Sequence, residues 1–235
     1  MNKISIIIPI LNEEKTIVSL LQHLFNISSN NKISEIIIVD GGSTDQSHHL
    51  VSDYLLVNSK VVLLSSERGR AKQMNTGAKQ ATGNILYFLH ADSFPPKNFD
   101  QLIINEVEKD HLAGCFKMKF NHPHWWLKLA SWLTHFHWRA CRGGDQSQFI
   151  TRKLFKEIGG YDEDFMIYED NILINELYNR NQFIVIQKWI VTSARLYDRK
   201  GIWRLQYHFW TIYVKRWLGA SADDIYTYYL KHIAS

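Results

Sequence analysis

The stretch Arg68–Ser93, RGRAKQMNTGAKQATGNILYFLHADS, runs from a basic, amide-rich segment through a small-residue helix into a hydrophobic strand that ends on His90-Ala91-Asp92. Ala71, Met74, Ala78 and Ala81 recur at helical spacing and give that helix a close-packing face, for which core structure is the default explanation. A carboxylate at the carboxyl end of a buried strand is poorly solvated unless it holds a cation or caps something, and in open α/β sheets that edge is where ligands bind. Asp92 is therefore the first candidate functional residue.

Outward from this stretch, strand-length apolar runs recur at Ile4–Leu11, Glu35–Asp40, Lys60–Ser65 and Ile85–His90. They are continuous rather than alternating, as expected of strands buried on both faces. Helix-like segments at Glu13–Asn26, Thr44–Leu56 and Ala71–Ala81 separate them, so the first half predicts βαβ units with right-handed crossovers and a mostly parallel sheet flanked by helices. After Asn98 the pattern changes. A helix over 98–109 leads to a strand at Gly114–Phe120 and an aromatic-rich segment over 124–141. From Asp145 the order is a strand, a short helix near 152–158, a Gly159-Gly160 break and a helix opening at Glu169-Asp170. Two short apolar runs around Val185 and Val191 precede an aromatic helix near 201–218 and a last helix from Ser221. The expected organisation is an α/β domain over 1–200 with a helical C-terminal extension over 201–235 packed on it.

Composition sets the bounds. The 235 residues are 46% hydrophobic, enough for a sizeable core, and no low-complexity tract or repeat is present. Cys115 and Cys141 make no disulfide framework, and no Cys/His spacing resembles a zinc site. His122, His124, His135 and His137 are irregularly spaced, which favours packing or surface positions. Pro9 interrupts the first apolar run and Glu13-Glu14 follow it, so no signal peptide is expected; no window approaches the ~20 apolar residues of a membrane span. The expected location is cytoplasmic, with at most peripheral contact on the inner face of the membrane. A formal charge of +4 with scattered basic residues fits duplex nucleic acid poorly. The clusters Arg68/Arg70/Lys72, Arg139/Arg142 and Arg195/Arg199/Lys200/Arg204 suit a phosphorylated ligand or an anionic surface.

The strand ends carry the chemistry. After the first strand come Asn12-Glu13-Glu14, which helix capping alone would explain. After the second comes Asp40-Gly41-Gly42-Ser43-Thr44-Asp45, a tight turn whose Asp40 can accept hydrogen bonds from a base or ribose. Neither hexapeptide is decisive alone. In order, and at α/β spacing with Arg68-Gly69-Arg70-Ala71 and His90-Ala91-Asp92, they resemble the family 2 glycosyltransferases of GT-A fold. The match looks closest to a short, stand-alone bacterial subgroup with GRAxQMNxGA, LHAD, GGDQ and TSAR motifs, here Gly69–Ala78, Leu89–Asp92, Gly143–Gln146 and Thr192–Arg195.

The resemblance implies a donor pocket of Pro9, Leu11, Asn12, Glu14, Asp40, Ser43 and Arg70, with Asp145, Gln146 and Arg195 near the transferred sugar or its diphosphate. It implies a divalent cation, Mn²⁺ or Mg²⁺, at Asp92 with His90 as second ligand, His90 standing where most members have an acid; Gly41 replaces another usual acid. The Glu169-Asp170 pair after Gly159-Gly160-Tyr161-Asp162 falls where inverting members place their general base, which makes Asp170 the base and Glu169 an acceptor-side or orienting group. The donor implied is a UDP- or GDP-linked sugar and the acceptor hydroxyl is unidentified, a lipid-linked one among the options.

Three other readings compete. A sugar nucleotidyltransferase would need a Gly-rich N-terminal signature with an activating lysine, and a dinucleotide oxidoreductase a G-x-G-x-x-G after the first strand. A catalytically silent nucleotide-sugar-binding or membrane-scaffold protein is kept open by His90 and Gly41 and opposed by Asp92 and Asp170. The aromatic stripe over Gly201–Trp217 either packs on the catalytic domain or on another subunit of a homo-oligomer, or docks on a bilayer interface.

Overall fold

The structure is a computed structural model that describes residues 2–29 and 31–234. The strands are β1 (Ile4–Ile10), β2 (Ile33–Asp40), β3 (Val61–Ser65), β4 (Ile85–Phe88), β5 (Ser93–Phe94), β6 (Ala113–Phe120), β7 (Gln148–Thr151) and β8 (Phe183–Thr192). They form one sheet in the order β3-β2-β1-β4-β7-β6-β8-β5. The helices are α1 (Ile17–Ile27), α2 (Ser47–Val57), α3 (Arg70–Gln80), α4 (Phe99–Glu108), α5 (Trp125–Leu133), α6 (Arg152–Ile158), α7 (Glu169–Asn179), α8 (Arg195–Lys200), α9 (Ile202–Trp217) and α10 (Ala222–Tyr229).

The first half follows the sequence pattern: β3, β2, β1 and β4 pair in parallel. The chain winds outward from β1 to β3 and then returns to β4 on the other side of β1. That reversal opens a crevice at the carboxyl ends of β1 and β4, where such sheets hold ligands. Beyond β4 the sheet is mixed. β7 runs antiparallel to β4 and β6, β8 is parallel to β6, and β5 closes the edge antiparallel to β8.

Both sheet faces are buried, which explains the unbroken apolar strands. Ile4, Ile6, Ile8 and Ile10 of β1 pack with α1 and α4 on one face, while Ile7 packs with Ala71 and Met74 of α3 on the other. A third cluster, built on Phe165, Leu205, Ile212, Ile225 and Ile233, joins α9, α10 and the Leu230–Ala234 turn to the segment before α7.

Several boundaries differ from the sequence reading, each for a local reason. The first helix begins at Ile17 rather than Glu13, because Asn12 is left-handed (φ 58°) and the amides of Glu13 and Glu14 donate to Ser47 Oγ (2.7 Å) and Asp45 Oδ2 (3.2 Å) in the next loop. The fourth strand stops at Phe88, two residues before His90. The apolar runs around Val185 and Val191 are one strand, β8, whose register against β6 slips between Phe116 and Lys117 so that Gln187 and Lys188 bulge out. Asp145 lies in a single 3₁₀ turn, Gly144–Gln146, ahead of β7 rather than within a strand.

Candidate functional site

Two loops meet over the carboxyl ends of β1 and β2. Pro9 is buried beside Val39, and Leu11 is partly exposed at the strand exit. Asn12 does not cap α1 as its position invites; Thr16 stands at that cap. The Asn12 side chain instead fastens the second loop, its Oδ1 accepting from the Thr44 amide at 2.8 Å, while the Asn12 backbone amide donates to Ser43 Oγ at 3.0 Å. Glu14 Oε2 accepts from the Gln46 amide at 3.1 Å. Asp40, 4% exposed, accepts at Oδ1 from the Ser43 amide (2.9 Å) and the Ser43 hydroxyl (2.7 Å), which fixes the turn that follows β2.

Sequence reasoning missed Gln73. This buried amide on α3 donates to the carbonyls of Ile10 (2.8 Å) and Val39 (2.7 Å), clamping the ends of β1 and β2. A Cβ at Gly41 would sit 2.9–3.0 Å from the Gln73 amide group. The glycine at position 41 and the glutamine at position 73 are thus two halves of one packing solution. The only signal was a glutamine on the apolar side of a helix that faces strand ends.

The charged groups converge beside the crevice, at the end of β4 and the start of α7. His90 Nδ1 lies 3.4 Å from Asp145 Oδ1, and its Nε2 lies 3.9 Å from Asp170 Oδ2. Burial alone would lower the imidazole's affinity for a proton, but Asp145 and Asp170 outweigh it and raise it. Asp145 is more than half exposed, and against the cost of desolvation His90 and Arg70 hold its carboxyl below the usual range. Asp92 goes the other way: burial and the neighbouring Asp145 raise it, with His90 and Arg195 opposing. Arg195, first residue of α8, forks onto both Glu13 oxygens and reaches within 3.6 Å of Asp92 Oδ2, so it ties the β1 exit to the β4 exit. Glu13 had not been singled out; only packing separates it from Glu14.

Asp170, 6% exposed, begins α7 next to Glu169. Gly144 makes room for it: a Cβ there would fall 1.9 Å from Asp170 Oδ2 and 2.9 Å from His90 Cε1. Glu169 is fully buried, with Arg70 Nε 2.6 Å from Oε1, and Oε2 has no hydrogen-bond partner. Burial pushes its carboxyl up; Arg70 opposes this and Asp170 adds to it. This corrects the acceptor-side expectation for Glu169, since a side chain without exposed surface cannot meet an acceptor. It orients Arg70, whose side chain stays 42% exposed. Gln146 is likewise turned inward: its Oε1 accepts from Arg142 at 2.7 Å and its Nε2 donates to the Cys141 carbonyl at 2.5 Å, so its amide braces the buried Arg142 instead of facing a sugar.

Beside the Asp92 carboxylate lie two further acids, Asp145 and Glu13, against the guanidinium of Arg195. That excess suits a divalent cation. No group of three or more His, Cys, Asp or Glu side chains converges as a metal cage among the described residues. The pattern fits a hard cation held by one or two carboxylates with further positions left for substrate phosphates and water, and Asp92 and Asp145 are the residues for it. His90, the expected second ligand, has Nδ1 on Asp145 and Nε2 towards Asp170. Among the other histidines, His124 Nδ1 caps α5 by accepting from the Trp126 amide, and His137 Nε2 lies 2.5 Å from the Phe183 carbonyl.

The model of glycosyl transferase family 2 matches residues 5–175. A curated relative, undecaprenyl-phosphate 4-deoxy-4-formamido-L-arabinose transferase of Proteus mirabilis (strain HI4320), is 25% identical over 194 residues, 79% of this chain and 55% of that protein. The chain therefore spans about half the length of that relative. Among solved structures, S. aureus TarS superposes with TM-score 0.66 over 86% of this chain and 38% of its own, at 21% identity. TarS residues 1–349 in complex with UDP-GlcNAc give 0.65 over 81% and 58%, at 22% identity. GalNAc-T7 with UDP, GalNAc and Mn²⁺ gives 0.67 over 82% and 44%, at 15% identity. These likenesses establish a GT-A-like fold.

Proposed function

We propose, from the premise that this chain belongs to glycosyl transferase family 2, that it moves a sugar from a nucleoside-diphosphate donor to an acceptor hydroxyl with inversion at the anomeric carbon, assisted by a divalent cation. The observation that carries this reading is the convergence of Asp92, Asp145 and Asp170 with Arg70 and Arg195 beside the crevice between β1 and β4. The donor's nucleoside belongs over the loops fixed by Asn12, Asp40 and Ser43. Its diphosphate belongs against Arg70 and Arg195, whose charges offset what develops on the leaving group. Bound at Asp92 and Asp145, a divalent cation would supply Lewis acidity to that diphosphate.

Asp170 is the proton acceptor in this scheme. Its carboxylate is fixed by its place at the start of α7, by the space left at Gly144 and by His90 on its flank, the pre-positioning that general-base catalysis needs. Glu169 sets the direction of Arg70 and does not touch substrate. The catalytic unit in this reading is residues 1–200, and residues 201–235 form a helical extension on it. The name of the curated relative supports an acceptor carried on a lipid phosphate, and the UDP complexes of the structural relatives support a uridine donor.

The test is a thermal-shift screen of UDP, GDP and their sugars with and without Mn²⁺ or Mg²⁺, followed by nucleotide-release assays on the best ligand. A ligand at 100 times its dissociation constant adds about 2.7 kcal/mol of stability. Binding that needs the cation and is lost in Asp92→Ala supports the reading. A tight nucleotide-sugar complex with no turnover on any acceptor or water would instead make the protein a silent binder, and no shift with any nucleotide would remove the donor site.

A further inference from the structure

Helix α9 carries two apolar stripes, and the chain covers only one. Leu205, Phe209 and Ile212 point into the third core cluster. Trp203, Tyr207, Trp210, Val214 and Trp217, at i, i+4, i+7, i+11 and i+14, line a second face and are between 49 and 84% exposed. Helix α5 repeats the arrangement: Leu127 and Ser131 are buried, while Trp125, Leu129 and Trp132 are 38–59% exposed. The two helices are joined through Trp126, whose ring centroid lies 5.3 Å from that of Trp203 and 5.7 Å from that of Trp210, and whose indole N–H donates to Gln206 Oε1 at 3.1 Å. The exposed stripes are therefore neighbours on one surface.

We propose that this two-helix surface docks the protein on an anionic lipid bilayer. The charge distribution selects that occupant. No acidic residue occurs between Asp110 and Asp145, nor between Asp198 and Asp223, the two stretches that contain α5 and α9. Those same stretches hold ten of the chain's 27 lysines and arginines, of which Lys117 and Arg142 are buried, and none of its 23 acids, although the whole chain is only +4. Exposed Lys128, Arg139, Arg199 and Arg204 lie on or beside the two helices. A second copy would present the same cations to itself, and an isologous contact must be self-complementary, so like charge opposes dimerisation here. Indole and phenol rings beside Val214 and Leu129 have the amphipathic character that settles at headgroup level. Basic residues near a negatively charged leaflet each add about 1 kcal/mol. No helix among the described residues is long and apolar enough to cross a membrane, so the contact lies in the interface plane. Because α8 leads from Arg195 straight into α9, docking holds the crevice close to the bilayer surface.

The experiment is co-sedimentation of the full chain with vesicles of phosphatidylcholine alone or mixed with phosphatidylglycerol, at low and high salt, together with tryptophan quenching by brominated lipids. Binding to the mixed vesicles with quenching is expected. Lys128→Gln/Arg204→Gln should weaken it by roughly tenfold or more. Tyr207→Ser/Trp217→Ser should weaken binding and quenching at an unchanged melting temperature, both side chains being exposed. Absence of binding to either vesicle overturns the proposal, as does binding indifferent to both salt and anionic lipid. Self-association abolished by the same variants would give the surface to a second copy, and tighter binding to duplex DNA than to the mixed vesicles would give it to nucleic acid; either result refutes lipid docking.

Discussion

Gly144→Ala separates the geometry of the site from the stability of the fold. The new Cβ would lie 1.9 Å from Asp170 Oδ2, where ordinary contact begins at 3.4 Å, so the carboxylate must retreat by about 1.5 Å. It has little room to do so. Asp170 is buried, and His90 Cε1 stands 2.9 Å from the same Cβ. Overpacking of this kind costs about 1–3 kcal/mol, and for a chain of this size each kcal/mol lowers the melting temperature by roughly 2–4 °C. The protein should stay folded at 25 °C. A displacement of about 1 Å at reacting groups can cost about 100-fold in rate, so sugar transfer should fall by at least that factor while nucleotide affinity changes little. The assay is release of nucleoside diphosphate from the best donor, with donor affinity read by calorimetry. Gly143→Ala is the control: its backbone is extended (φ −171°), a Cβ there meets nothing within 4 Å, and both stability and turnover should hold. Wild-type turnover in Gly144→Ala, or an equal loss in Gly143→Ala, would refute the placement of Asp170 as base.

Three more outcomes follow from the same contacts. Asp170→Asn keeps shape and removes basicity, so transfer should drop by about 100-fold or more with donor binding intact; a normal pH–rate profile in the variant would reassign the base. Asp92→Asn should raise the melting temperature at pH 7 in metal-free buffer. Burial and Asp145 lift this carboxyl above its unfolded value, so its contribution to stability is fully present below about pH 3.9 and is lost as pH rises through the folded value. The difference between wild type and variant should therefore shrink towards acid pH, and a variant less stable at pH 7 would contradict that sign. Gln73→Ala strips the carbonyls of Ile10 and Val39 of their donor and should cost about 1–3 kcal/mol in chemical denaturation. Adding Gly41→Ala should then cost less than it does in the wild type, because its clash is with the Gln73 amide.

The parallel half of the sheet was legible because strands buried on both faces leave a one-dimensional trace: β1 to β4 are apolar runs separated by helical spacings. The second half was not. β7 and β8 insert against β4 and β6 from distant parts of the chain, and no local periodicity encodes which strand a short apolar run will join. The bulge at Gln187-Lys188 made one strand look like two. The aromatic stripe of α9 was also ambiguous. A helix with apolar residues on two faces shows packing and exposure at once, and only the position of Leu205, Phe209 and Ile212 in the third cluster says which stripe is inward.

At the candidate site, the motifs pointed to loops that fold together but could not divide their residues by task. Asn12, Ser43, Gln73, Gln146 and Glu169 spend their polar atoms or charge on neighbouring loops and side chains. Asp92, Asp145 and Asp170 cluster around His90, while Arg70 and Arg195 already pair with Glu169 and Glu13. Sequence gives both groups the same appearance, a polar residue at a strand end, because the distinction lies in which polar atoms find partners after folding. A buried amide that meets two carbonyls has finished its work in the fold. A carboxylate raised by burial and by its acidic neighbour has not, and a positive charge arriving beside it would relieve that cost at neutral pH. The folded molecule thus keeps a local deficit of positive charge beside two guanidiniums suited to phosphate, and a diphosphate arriving with its cation would satisfy both together.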